Sequence, residues 1–139
     1  MKRFKPLQDV AGKSYAYCDP RAKNLLHRRA RSFLKELADE LRLDPYDISS
    51  NKAGVACSGE ITLRAPTLHV WVQEACTSPD DLIIVIRGVR GPKDYEGLQN
   101  RQMRVSRAGA RAIVAACRNA IEQSLAHQAA ADPLSSTAG

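Results

Sequence analysis

The stretch GVACSGEITLRAPTLHVWVQEACTSPDDLIIVIRGVRGPKDYEGLQN covers residues 54–100 and decides the fold. In residues 60–65 the apolar Ile61, Leu63 and Ala65 alternate with Glu60, Thr62 and Arg64. A period of two puts successive side chains on opposite sides of a strand, so one face is expected to be buried. Residues 68–74 repeat the pattern, with Leu68, Val70 and Val72 on one face and His69, Trp71 and Gln73 on the other. Leu82-Ile83-Ile84-Val85-Ile86 is continuously apolar, which marks an inner strand or one partly covered on both sides. Val55-Ala56-Cys57 adds a short fourth run. Turn residues separate the runs: Ser58-Gly59, Pro66-Thr67 and Thr77-Ser78-Pro79-Asp80-Asp81. Connections this short join only antiparallel neighbours, so a meander of three to four strands is expected.

Helices flank this core. Asp19 suits an N-cap and Pro20 a first helical position. Leu26, Ala30, Phe33, Leu34, Leu37 and Leu41 then share one face of a 3.6-residue helix, and Arg21, Arg28, Arg31, Lys35 and Arg42 share the other. Asp44-Pro45 ends this helix, and a polar connector follows. A second helix is expected from near Ser106. Its buried arc is Ala110, Ile113, Val114, Cys117, Ile121 and Gln128, with Leu125 at the edge. The fold class is therefore α+β: a two-layer sandwich in which an antiparallel meander is flanked by an N-terminal and a C-terminal amphipathic helix. Both helices on one side is the preferred arrangement, and one on each side is the alternative. Residues 1–128 read as one domain with an irregular arm at 1–18, in which Ser14–Cys18 has the pattern of a short edge strand. Residues 129–139 read as a flexible tail.

The composition excludes some classes. The 139 residues hold no apolar run long enough to cross a bilayer and no secretory h-region, so a cytoplasmic protein with no membrane partner is expected. Cys18, Cys57, Cys76 and Cys117 are widely spaced and read as small buried apolar residues, with no metal or cofactor expected. A net charge of +6, carried mostly by arginine, favours a polyanionic partner such as nucleic acid or an acidic protein.

The polar loop 88–100 is the most distinctive segment. Its glycines and its set Arg90, Lys93, Asp94, Tyr95 and Asn100 suit either an anion-binding loop or a compact structural plug. It matches neither a phosphate-binding P-loop nor a dinucleotide fingerprint. Arg101, Arg104, Arg107, Arg111 and Arg118 follow, and Arg104 to Arg118 are spaced as a stripe along the second helix. Trp71 reads two ways, as a stacking platform for a base or a partner's anchor residue, or as a ring covered by the N-terminal arm or by the stems of Arg64 and Arg87.

The segments Gly59-Glu60-Ile61-Thr62-Leu63-Arg64 and Gly91-Pro92-Lys93-Asp94-Tyr95-Glu96-Gly97-Leu98-Gln99-Asn100 carry a resemblance, together with FKPLQDVAG at residues 4–12. They resemble small proteins of bacterial integrating and conjugative elements that carry a GEVTLH segment, a strand, then GRKDYTGG-x-N. Pro92 and Leu98 depart from that pattern. The resemblance implies an accessory role in a mobile genetic element and no particular chemistry.

Three functions fit these residues. The first is a non-enzymatic module contacting nucleic acid, or a protein that handles it, through Lys93, Arg101, Arg104, Arg107 and Arg111. The second is a protein-interaction or homodimer module using a strand edge or the small-residue face Ala108, Ala112, Ala115 and Ala116. The third is an enzyme built on Lys93, Asp94, Tyr95 and Glu60. Enzymatic activity is the least favoured, because no nucleophile–base pair can be placed.

Overall fold

The computed structural model describes Leu7 and residues 20–51, 59–74, 81–91, 94 and 96–131. Seven elements follow in chain order: α1 (Pro20–Glu40), β1 (Asp47–Asn51), β2 (Glu60–Arg64), β3 (Leu68–Glu74), β4 (Leu82–Gly88), β5 (Arg101–Arg104) and α2 (Ala110–Ala131). The strands form one five-stranded sheet in the order β1-β2-β3-β4-β5, antiparallel throughout. This is the expected α+β sandwich with flanking helices, with more strands than the three to four expected. The expected cap at Asp19, the arm strand near Ser14 and the run Val55-Ala56-Cys57 lie outside the described residues.

The register explains the layers. Ile61 pairs with Val72, Leu63 with Val70, Val70 with Ile86 and Val72 with Ile84. Paired residues share a face, so these side chains form one apolar surface that is fully buried. Leu26, Phe33, Leu34 and Leu37 of α1 and Ile113, Val114 and Cys117 of α2 belong to the same cluster. Both helices therefore lie on one face, α1 over β1 and β2 and α2 over β3 and β4. The charged residues expected on the outer face of α1, from Arg21 to Lys35, are exposed.

The two strands not expected from sequence are the two edges. β1 reads Asp-Ile-Ser-Ser-Asn, a sequence with little strand propensity of its own. The ladder of β2 holds it, and Arg31 donates to the Ile48 carbonyl (3.3 Å) and to Ser50 Oγ (3.4 Å). β5 displaces the expected start of the second helix. Asp81 accepts from Ser106 N and Oγ, which holds Ser106 in a turn. The helix starts only after Gly109, whose carbonyl takes the amide of Ile113 (3.1 Å).

The buried arc of α2 is also shifted from the expected one. Ala116, Ala120 and Ser124 are buried, while Leu125 is 54% exposed. The cause is the close approach of α2 to β4. A Cβ on Gly88 would stand 2.5 Å from the Ala120 carbonyl oxygen, so only glycine and small helical residues fit there. Polar bonds fix the register of the approach. Ser124 Oγ donates to the Val89 carbonyl, and Gln128 Nε2 donates to the carbonyls of Val89 (3.2 Å) and Pro66 (3.3 Å). α2 continues to Ala131, past the point where the tail is expected to begin.

α1 closes with a left-handed residue. Arg42 has φ 55°, its amide bonds the Asp39 carbonyl, and the Leu43 amide reaches back to Ala38. This is a Schellman cap with arginine where glycine is usual.

Two predictions follow from these contacts. Gly88→Ala forces α2 off the sheet and lowers unfolding free energy by about 2 kcal/mol in urea titration. Arg42→Gly removes left-handed strain at the cap and raises it by roughly 1 kcal/mol.

Candidate nucleic-acid interface

The loop after β4 is organised by Asp94. Its Oδ2 accepts from the Arg90 amide (2.9 Å) and Arg90 Nε (3.1 Å), and its Oδ1 accepts from the Gly97 amide (3.0 Å). These bonds, with the side-chain hydrogen bond from Arg90 first among them, hold the Asp94 carboxyl well below the usual carboxylate range. Gly97 has φ 68°, and its missing side chain leaves room for Arg87, whose Cδ would lie 2.6 Å from a Cβ there. Arg87 Nη1 donates to the Glu96 carbonyl (3.1 Å), and the Leu98 amide bonds the Gly88 carbonyl (2.8 Å). Arg90 and Asp94 thus spend their charges on each other. Lys93 and Tyr95 lie outside the described residues.

The arginines that follow separate into two groups. Arg104 is in β5 and faces away from the helices, beside Ile83, with Nη1 3.8 Å from Asp81 Oδ2. Asp81 is nearly buried, which alone would raise its pKa. The bonds from Ser106 and Leu82 and the charge of Arg104 outweigh burial and lower it. Arg101, Arg107, Arg111 and Arg118 are exposed, and none makes an ion pair among the described residues. The expected stripe along α2 is therefore shorter: Arg111 and Arg118 are helical, Arg107 is in the preceding turn, and Arg101 and Arg104 are on a strand. The small-residue face is split as well, with Ala108 and Ala116 buried and Ala112 and Ala115 exposed.

Arg101 opens onto a groove of about 230 Å³ between β5 and α2, walled by Gln99, Asn100, Asn119 and Gln123 and floored by Ile86 and Ala120. No carboxylate of the described residues lines it. Asn119 also borders the adjoining concavity that holds Arg111 and Arg118, where, among the described residues, Glu122 is the one acid. Asn100, Arg101, Arg111 and Arg118 are thus brought to one side of the molecule. The amides Gln99, Asn119 and Gln123 were not picked out from sequence. Asn119 and Gln123 are one turn apart beside Ala116 and Ala120, and that spacing could have flagged them.

A second concavity, of about 250 Å³, lies on the face of the sheet turned away from both helices. The register places Arg64, His69 and Arg87 side by side across β2, β3 and β4. Trp71 and Thr62 form the next row, then Gln73 and Glu60. The Arg87 guanidinium lies 5.1 Å over the Trp71 ring, and Trp71 Nε1 donates to Gln73 Oε1 (2.9 Å). Glu60 stands at the far end of β2 from the Arg87 row that the loop touches, about 13 Å along the strand. With Asp94 committed to Arg90, the geometry gives Glu60 and Asp94 no common site.

Among the described residues no three His, Cys, Asp or Glu side chains converge on a metal site. Cys117 is fully buried and its thiol is pushed up to about 12 by that burial, so it behaves as an apolar core residue. No described helix is long and apolar enough to cross a membrane.

The carboxylates give a pH signature. Both Asp81 and Asp94 titrate lower in the fold than the ordinary value of 3.8. A lowered carboxylate stabilises above its unfolded pKa, and that stability is lost as pH falls through the folded value. The urea midpoint is expected to hold from neutral pH to about pH 4 and drop below it. Asp81→Asn lowers the midpoint at neutral pH and flattens this drop.

Comparison with protein-family models, with curated proteins and with solved structures gives no match to this chain, so its function is read from these surfaces.

Proposed function

We infer that the chain is a non-enzymatic binding module that contacts nucleic acid through the β5–α2 side, in an accessory role within a bacterial mobile genetic element. The observation that carries the contact is the groove holding Arg101, which among the described residues has amide walls and no carboxylate, together with Arg107, Arg111 and Arg118, whose charges make no ion pair among those residues. Arginine, asparagine and glutamine are the side chains that hold phosphate and sugar oxygens. Unpaired guanidinium groups release counterions from a nucleic acid, whereas paired ones such as Arg90 and Arg104 contribute little. The accessory role rests on the resemblance of residues 59–64 and 91–100 to mobile-element proteins. The rival reading is a homodimer or a protein-interaction module. The edges of the described sheet disfavour strand pairing, since β5 carries Arg101 and Arg104 and β1 is polar, and such edges resist addition of another strand.

Fluorescence anisotropy of labelled DNA across a salt series tests this. Four phosphate contacts predict that log affinity falls with log salt at a slope of roughly −3 to −4. Arg101→Ala with Arg111→Ala makes the slope shallower by about 2. No binding at low salt, or a slope unchanged in the double variant, overturns the reading. A dimer by light scattering with no DNA binding selects the rival.

A further inference from the structure

We propose that the concavity on the face turned away from the helices is a separate binding site for one unpaired nucleotide, with the base stacked beside the Trp71–Arg87 pair and the phosphate toward Arg64. This site is independent of the β5–α2 groove, since the whole sheet lies between them.

The side chains form a floor and a rim. Thr62 and His69 are buried and make the floor, while Arg64, Trp71, Gln73 and Arg87 are half-buried and make the rim. The concavity holds about 250 Å³, room for a flat ring system with a charged group beside it. The layout along the strands has a matching polarity. One row holds the two guanidinium groups and the imidazole, the middle row holds the indole, and the last row holds the Gln73 amide and Glu60 carboxylate. Arg64 spends one N–H on Ser49 Oγ (3.0 Å), and no carboxylate among the described residues forms an ion pair with it. Arg64 keeps its remaining N–H groups for a phosphate at the end of the concavity, while Arg87 lies over the Trp71 ring. Stacking on an indole or a guanidinium plane accepts any base, and Gln73 and Glu60 offer a donor and acceptors to its edge.

The same geometry disfavours other occupants. β2, β3 and β4 are inner strands whose backbone groups are used in the ladders, so an extended peptide finds no main chain to pair with. A duplex keeps its bases stacked inside and cannot offer one to a concavity this size.

Trp71 is the only tryptophan, so its emission reports on this site alone. The experiment titrates the full chain at low salt with a short oligothymidylate, thymidine 5′-monophosphate, deoxyribose 5-phosphate, inorganic phosphate, an acidic peptide and a blunt duplex. Saturable quenching is expected from the two thymidine ligands and not from the others. Stronger quenching by the oligonucleotide identifies a strand as the source, and equal quenching identifies free nucleotide. Arg64→Gln weakens the quenching constant about tenfold. In the Arg101→Ala, Arg111→Ala background, Trp71→Leu weakens binding of a labelled oligothymidylate by about tenfold or more, and Trp71→Phe restores most of it. Quenching persists in the Arg101→Ala, Arg111→Ala background, where the groove is disabled. The proposal is overturned if neither thymidine ligand quenches, if phosphate or the acidic peptide quenches equally, or if quenching disappears in the groove variant. Circular dichroism of each variant confirms that its fold is intact.

Discussion

A strand shows alternate side chains to opposite sides, and everything else in this molecule depends on that constraint. Ile61, Leu63, Val70, Val72, Ile84 and Ile86 occupy one side, and burying them requires cover. α1 and α2 supply it together. The residues between them in sequence are then committed to the other side, where Arg64, His69, Trp71, Gln73 and Arg87 meet without any long-range design. A one-residue slip in register would exchange the two sets, so folding and the sheet-face concavity are specified by the same pattern.

The second organising effect is how charge is spent. A net charge of +6 does not say which arginines can meet a partner. Arg90 is clasped by Asp94, Arg104 lies against Asp81, and Arg31 is tied to β1. Arg101, Arg107, Arg111 and Arg118 keep their charge exposed. The acids are therefore what shape the basic surface. They withdraw charge from the loop and leave it along the β5–α2 side. Asp81 has a further effect: by holding Ser106 it delays α2 and allows β5 to complete the sheet.

Strands β2, β3 and β4 and the apolar face of α1 were legible in sequence because their periodicities are strong and uninterrupted. The edge strands were not. β1 has one apolar residue in Asp-Ile-Ser-Ser-Asn, and its neighbours, not its own propensity, make it a strand. β5 left a faint signal, since Met103 and Val105 alternate with Gln102 and Arg104, but the arginine spacing fitted a helix equally well. That ambiguity is why the stripe from Arg104 to Arg118 was placed on one element. For the loop, sequence allowed either a plug or an anion site. The bonds of Asp94 to Arg90 and Gly97 make that half a plug, a distinction that requires distances. The groove amides Asn119 and Gln123 were invisible for a different reason: their surroundings come from β5, whose position was not foreseen. Trp71 illustrates the reverse case. The Arg87 stem was one of its expected covers, and the concavity beside it emerges only when three strands are set in register.

Backbone amide shifts followed by NMR during titration test the division of labour between the two sides most directly. The account predicts that duplex DNA moves amides around Asn100, Arg101 and Asn119 and leaves Arg64, His69 and Trp71 unmoved, whereas a single strand moves both sets. Shifts confined to the outer face of α1, or a duplex that perturbs β3 as strongly as α2, would contradict it.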